Sequence, residues 1–469
     1  MAHPLIIQGG MGAGVSNWCL AKAVSLTGQL GVVSGTALDT ILARRLQLGD
    51  ENGHMRRAMA EFPDAKMAKR VLERYFTPDG HKKRRPFKQT GVNTIEAEQE
   101  TQELTVVSNF VEVYLAKEGH TNPVGINLME KIQLPNLYAL YGAMLAGVDY
   151  VTMGAGIPRE IPGVLDKLTD HQPVSLKITV ETRNGGRYQS NFNPKKFLET
   201  DLPDLKRPKF LSIISSVLLA KMMVKKATGK VDGLVVELPC AGGHNAPPRG
   251  KMELNLKGEP VYGDRDAIEI EKIKAIGLPF WLAGSWGTPQ KLKEAIALGA
   301  NGIQIGTLLA FSDESGFTDR IKAQAIGHIH DQNTSVFTDP VASPTGFPFK
   351  VLSLAGSLSE TDAYQNRNRK CDLGYLRQLY EKPDGRIGYR CPAEPEAAFV
   401  AKGGQSADLV GKKCLCNALL SNIGLGQVRK NGYAENILVT SGDGIQSIRE
   451  FLAGRRSYKT EEAIAWLLS

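Results

Sequence analysis

Eight short apolar runs rich in β-branched residues recur through the first two thirds of this chain. They are Leu5 to Gln8, Gly31 to Ser34, Val124 to Leu128, Tyr150 to Met153, Phe210 to Ser215, Gly233 to Leu238, Pro279 to Ala283 and Gly302 to Gly306. All but the second are followed closely by glycine, serine or asparagine, which reads as a buried strand running into a loop. Between most of them lie amphipathic segments such as Val217 to Ala227 and Pro289 to Leu298, with apolar residues at helical spacing. Eight strand–helix units within about 310 residues predict a (β/α)8 TIM barrel. A doubly wound sheet needs fewer units and a Gly-x-Gly-x-x-Gly turn after its first strand. The run Gly9-Gly10-Met11-Gly12-Ala13-Gly14 offers the glycines but has no clear acidic partner after the second strand, so the dinucleotide fold is the weaker reading.

Two stretches break the rhythm. Asp50 to Asn122 is far longer than an ordinary connection and looks largely helical over Met55 to Tyr75 and Leu104 to Lys117, so it is expected to cover or narrow the crevice at the barrel mouth. Its basic run His81 to Lys88 reads as a solvated loop, with a substrate-phosphate or nuclear-targeting role as the alternative. Val174 to Phe192, broken at Asn184-Gly185-Gly186, reads as a β-hairpin inserted outside the barrel. After Phe311 the pattern changes, and Pro340, Pro344, Gly346 and Pro348 mark a boundary. The expected organisation is a barrel over 1–339 with helical and hairpin insertions at about 50–122 and 174–192, then a loop-rich C-terminal extension over 340–469 that ends in an amphipathic Thr460 to Leu468.

With 469 residues, 42% of them hydrophobic and 23% charged, the chain can bury a full core and carry an appendage. Lys and Arg outnumber Asp and Glu by 57 to 49, giving +8, with much of the surplus in clusters such as Lys82-Lys83-Arg84-Arg85. A charge of this size favours anionic ligands without singling out nucleic acid, and there is no zinc-finger spacing, no RNA-binding aromatic signature and no basic helical stripe. No window approaches the roughly 20 apolar residues that span a bilayer. The amino terminus enters Pro4-Leu5-Ile6-Ile7 without a basic leader, so a cytoplasmic protein is expected. Six cysteines are too sparse for a disulfide scaffold, and Cys19 and Cys240 read as ordinary buried thiols. Cys371, Cys391, Cys414 and Cys416 all fall in the last quarter. Four thiolates can bind zinc tetrahedrally or hold an iron–sulfur cluster, but the spacing lacks paired C-x-x-C knuckles and favours free structural thiols.

The chemistry should lie in the loops at the carboxyl ends of the strands, where an α/β fold converges on one crevice. Ala241-Gly242-Gly243-His244-Asn245-Ala246-Pro247-Pro248-Arg249-Gly250 follows the sixth strand. A histidine there can take a proton from a substrate carbon or hold developing negative charge, because imidazole titrates near neutrality; alternatively it caps a turn. The seventh loop, Ala283-Gly284-Ser285-Trp286-Gly287, and the eighth, Gln304-Ile305-Gly306-Thr307, stand where barrel proteins bind phosphate on exposed backbone N–H groups. Asn127 ends the third strand with an amide that can meet a heteroaromatic ring or cap the turn.

Gln8-Gly9-Gly10-Met11, Gly125-Ile126-Asn127, Thr152-Met153-Gly154-Ala155-Gly156, Ser215-Ser216, Ala241-Gly242-Gly243-His244, Ala283-Gly284-Ser285 and Gln304-Ile305-Gly306-Thr307 together resemble the nitronate monooxygenase family, formerly 2-nitropropane dioxygenases. That family includes related FMN-dependent enoyl-acyl-carrier-protein reductases. The resemblance runs in consistent order from about Pro4 to Val351. It implies FMN as cofactor, with Gly10 and Met11 bordering the isoalloxazine, Asn127 hydrogen-bonding it and Gly243 lying near it. Gly284, Ser285, Gly306 and Thr307 would hold the phosphate, and His244 would act as base or anion stabiliser. Departures are Ser285 where Ala-Gly-Gly is usual, the two insertions, which would reshape the pocket, Asn245 to Arg249, and the cysteine-bearing tail. The implied activity is oxidation of a small substrate with an acidic C–H by O2. The alternatives are an NAD(P)H-dependent enoyl-thioester reductase and a non-catalytic flavin-binding protein. A homodimer is compatible with the sequence but nothing in it requires one.

Overall fold

The computed structural model describes residues 3–80, 85–182 and 185–469. The basic run His81 to Lys88 and the hairpin turn at Asn184 therefore lie partly outside the described residues. Eight strands form one sheet: β1 (Ile6–Gln8), β2 (Gly31–Ser34), β3 (Val124–Met129), β4 (Tyr150–Gly154), β5 (Lys209–Ile214), β6 (Gly233–Glu237), β7 (Phe280–Ala283) and β8 (Gly302–Ile305). Every neighbouring pair is parallel, and the order runs β1-β8-β7-β6-β5-β4-β3-β2. A parallel bridge between Ile7 and Leu30 brings β1 to the residue before β2, with Gln8 N donating to Leu30 O at 2.9 Å and Leu30 N to Ile6 O at 3.1 Å. That contact makes the sheet a (β/α)8 barrel.

The strands form where the sequence is short, buried and β-branched, and helices form between them where a capping residue starts a turn. Asn17, Ser216 and Thr288 each accept a backbone N–H of the helix that follows them, Trp18–Leu26, Val217–Lys226 and Pro289–Ala297. The barrel interior holds Ile7, Leu30, Val32, Tyr150, Leu211, Val235, Trp281 and Ala283 as a cluster separate from the outer core. Trp281 is fully buried and donates its indole N–H to Pro4 O at 2.8 Å, which satisfies the polar atom of the largest interior side chain.

The long stretch after β2 is helical, as its apolar spacing indicates, but it takes a different place. Helices His54–Ala60 and Ala65–Tyr75 are separated at Pro63, and Asp64 caps the second by accepting from Met67 N. Gln99–Lys117 packs against Trp18–Leu26, Leu38–Gln47 and Asn136–Leu145 and so belongs to the outer ring. Its apolar residues face all sides, which is the pattern of a helix buried between layers. The hairpin Val174–Ile178 with Tyr188–Phe192 is antiparallel and outside the barrel sheet.

The expected boundary at Pro340 lies inside an antiparallel hairpin, Val336–Asp339 with Phe349–Leu352. The tail then carries a second hairpin, Gln378–Glu381 with Ile387–Arg390, and helices that include Leu415–Asn422 and Thr460–Leu467. It returns to the barrel: Tyr458 OH donates to Leu308 O at 2.6 Å and Asp313 N to Tyr458 O at 2.9 Å. Among the described residues no helix is long and apolar enough to cross a membrane.

Candidate active site

A cavity opens at the carboxyl ends of the strands, and Gly10, Met11, Asn127, Gly243, His244, Gly284, Ser285, Gly306 and Thr307 all line it. No described residue of 50–122 or 174–192 borders it, so among the described residues neither insertion lines the crevice as the sequence led one to expect. Their described helices and strands pack against outer helices such as Leu38–Gln47 and Asn136–Leu145. The wall is completed instead by the tail, through Phe349, Leu419, Asn422, Thr440 to Gly442, Gly444, Ser447 and Ile448.

The loop after β1 is pinned by two serines. Ser16 Oγ accepts from Met11 N at 3.0 Å and donates to Gly9 O at 2.9 Å, and Ser34 Oγ donates to Gly12 O at 2.6 Å. A Cβ on Gly10 would stand 2.2 Å from Asn127 Cβ, so only glycine lets the first loop approach the third this closely. Asn127 Nδ2 donates to Thr152 Oγ1 at 2.8 Å, which turns the amide and leaves Oδ1 without a partner among the described residues. Trp286 Nε1 is a buried donor with no partner among the described residues.

The loop after β6 is held from the tail side. His244 bridges Phe349 in antiparallel fashion, Lys350 N donates to Gly243 O at 2.9 Å, Asn245 N to Pro348 O at 2.9 Å, and Gly243 N to Thr440 Oγ1 at 2.7 Å. The Ser441-Gly442-Asp443-Gly444 turn lies against the loops after β6, β7 and β8: Gly442 N donates to Thr307 Oγ1 at 3.0 Å and Asp443 N to Cys240 O at 3.0 Å. Ser285 itself sits at φ +56°, a left-handed conformation that costs a serine and that the packed turn sustains. Sequence reasoning passed over this tail turn. Its signal was there, since Ile437-Leu438-Val439-Thr440 running into Ser-Gly-Asp-Gly repeats the apolar-run-then-glycine pattern of the barrel loops.

His244 does not cap a turn. Its Nε2 lies 2.7 Å from Ser343 Oγ, and its ring stands edge-on to Phe349 at 4.9 Å and Phe347 at 6.4 Å. Burial pushes its pKa down to about 4, so the imidazole is neutral at physiological pH instead of titrating there. The second titratable group on the cavity wall, Glu237 at the end of β6, was also missed. Burial alone raises its carboxyl to about 7. Cys240, read from sequence as an ordinary buried thiol, is half-buried and lines the cavity.

The tail cysteines do converge. Cys371, Cys391, Cys414 and Cys416 border one small void that shares no residue with the main cavity. Among the described residues, however, no group of three or more His, Cys, Asp or Glu is placed to hold a metal ion, so the zinc or iron–sulfur alternative is not met. The four thiols differ in their environments. The hydrogen bond between Cys371 and Cys391 pulls the first down and pushes the second well up, while burial raises Cys414 to about 12 and Cys416 well above its ordinary value.

No family model matches this sequence, and no curated protein matches it. Among solved structures, FabK from Thermotoga maritima is similar at 17% identity over 100% of this chain and 92% of that one, with a TM-score of 0.47. Nitroalkane oxidase from Streptomyces ansochromogenes is similar at 14% identity over 99% of this chain and 94% of that one, with a TM-score of 0.46. The enoyl reductase domain of MlnA from the macrolactin biosynthesis cluster of Bacillus amyloliquefaciens matches at 12% identity, again over 99% and 94%, with a TM-score of 0.46.

Proposed function

We propose that this chain is an FMN-dependent oxidoreductase of the nitronate monooxygenase type, acting on a small substrate with an acidic C–H and using O2. The observation that supports it most directly is the convergence of glycine-bearing loops and His244 on one cavity at the carboxyl ends of the strands. Gly284, Ser285, Gly306 and Thr307 would hold the FMN phosphate, with Gly442 and Gly444 of the tail beside them. Gly10, Met11, Asn127 and Gly243 would border the ring. The fit rests on the wall itself: main chain reaches the cavity without Cβ atoms, and Asn127 Oδ1 and Trp286 Nε1 offer an acceptor and a donor without partners among the described residues. When bound, FMN would supply the two-electron redox chemistry.

The remaining work falls to side chains. His244, uncharged, would meet the reacting end of the substrate, with Phe349 and Phe347 excluding water from one side of its ring. Glu237 gives the cavity a carboxyl able to exchange a proton near neutral pH. A second reading, an NAD(P)H-dependent FMN enoyl-thioester reductase, is favoured by the same neutral imidazole, since an uncharged donor suits a thioester carbonyl.

The test is an anaerobic visible spectrum of the purified chain after reconstitution with FMN. Flavin absorbance retained through gel filtration is expected, and its loss would remove the proposal. Bleaching by an alkyl nitronate that slows in His244→Ala supports the monooxygenase. Bleaching by NADPH or NADH alone supports the reductase and makes enoyl thioesters the next substrates, while bound flavin that neither reagent bleaches leaves a flavin-binding protein.

A further inference from the structure

We infer that Ser343, contributed by the tail, is a positioning residue that fixes the tautomer of His244, occupying Nε2 so that Nδ1 presents an N–H to the cavity.

Three polar atoms surround Ser343 Oγ: His244 Nε2 at 2.7 Å, Thr345 Oγ1 at 2.8 Å and Thr345 N at 3.2 Å. The backbone N–H of Thr345 can only donate, so it takes one lone pair of the serine oxygen. One serine hydrogen and one further lone pair remain for two partners. If Ser343 donates to His244, the Thr345 hydroxyl donates back to Ser343 and every hydroxyl hydrogen has a protein acceptor. Thr345 Oγ1 is then free to accept from Phe347 N, which stands 3.5 Å away. In the reverse arrangement the Thr345 hydrogen has no acceptor among the described residues. The first arrangement alone satisfies every hydroxyl within the protein, whereas the reverse hands the hydrogen of the half-buried Thr345 to solvent; in the first, a neutral imidazole that accepts at Nε2 carries its proton at Nδ1.

Nδ1 has no hydrogen-bond partner among the described residues and is not among the buried polar atoms left without one, so it reaches the open cavity that His244 lines. Ser343 is rigidly placed. It is fully buried, and its carbonyl accepts from Lys412 Nζ at 3.0 Å. Within the FMN-oxidoreductase reading, on which this step rests, His244 acts on a carbonyl or anionic oxygen of the substrate as a hydrogen-bond donor, and any substrate proton is taken elsewhere. The assignment of the tautomer itself does not depend on the flavin.

The experiment is long-range 1H–15N correlation spectroscopy at pH 7 on the full chain labelled at its histidines, first without flavin, with His244→Ala identifying the signal. The expected wild-type pattern is a protonated Nδ1 and a hydrogen-bonded, unprotonated Nε2. Ser343→Ala should shift His244 toward the Nε2–H tautomer or a mixture, and Ser343→Thr should restore the wild-type pattern. Thr345→Ala, which removes the hydroxyl feeding Ser343, should weaken the preference and serves if Ser343→Ala fails to fold. An Nε2–H wild type, or an unchanged pattern in the folded Ser343→Ala or Thr345→Ala variant, overturns the proposal. In the FMN-loaded protein, Ser343→Ala should lower kcat on the order of ten-fold with KM little changed, the low end of the loss when a partner orienting a metal-bound imidazole is removed. If flavin does not bind, the spectra still decide the tautomer while the functional reading fails separately.

Discussion

Gly444 of the tail lies so close to Ser285 on the β7 loop that a Cβ built on the glycine would stand 3.1 Å from Ser285 Oγ. The two residues are far apart in sequence, yet the contact seats the tail on the wall proposed to hold phosphate. A branched side chain at 444 requires Ser285 or the turn to give by a few tenths of an ångström. Gly444→Val is expected to weaken FMN binding at least ten-fold, about 1.4 kcal/mol, measured by quenching of flavin fluorescence. Unchanged affinity would separate the tail from the cofactor wall.

Lys350 and Asp443 hold the same turn from below. The ammonium is bonded to both carboxylate oxygens at 2.7 Å and to Thr338 Oγ1 at 2.8 Å, with the lysine side chain 5% exposed and the aspartate 46%. Removing the aspartate strands a buried charge, whereas removing both groups does not. Asp443→Asn should cost about 1–3 kcal/mol in urea unfolding, discounted because the carboxylate is half in solvent. The double variant with Lys350→Met should be less destabilised than Asp443→Asn alone.

Glu237 is raised from 4.5 to about 7 by burial, so the folded state prefers its protonated form. Between those values the folded chain binds more protons than the unfolded one, and stability falls as pH rises. Glu237→Gln should flatten the stability profile across about pH 4.5–7, read by thermal unfolding at stepped pH. A slope that persists unchanged would mean the carboxyl is not held neutral.

His244 shares that origin, burial, and runs the other way in direction. Its pKa is lowered from 6.5 to about 4, so the folded state resists protonation, and the stability it allows above pH 6.5 is lost as pH falls toward 4. His244→Asn should lessen that acid-side loss. In the NMR titration of the wild type, the His244 signal should stay constant from pH 8 to pH 5.5.

Cys371 is the tail thiol whose pKa is lowered, chiefly by its hydrogen bond with Cys391, while the other three are raised. Since the thiolate is the nucleophile, limited alkylation with iodoacetamide followed by peptide mass spectrometry should modify Cys371 first of the four. Treatment with a strong chelator should leave the unfolding temperature unchanged. A drop would revive a metal at these thiols.

The sequence by itself determined the barrel. Val32-Val33, Ile126, Val151, Leu234-Val235-Val236 and Ile303 lie in strands where short β-branched runs bounded by glycine predict them, because strand formation and burial are written locally in period and composition. The glycines after β1, β6, β7 and β8 were legible for the same reason, as was the placing of His244 beyond β6. What only the tertiary structure decided is what stands opposite those loops. Ser343 reaches His244 across 99 residues and Gly442 reaches Thr307 across 135, and no local pattern encodes which distant segment covers a crevice. The long insertion after β2 was recognisable as helical, yet its destination in the outer ring depended on neighbours such as Asn136–Leu145. Protonation was equally out of reach. The depressed imidazole of His244 and the raised carboxyl of Glu237 arise from desolvation, which exists only once the surrounding chain has closed over them.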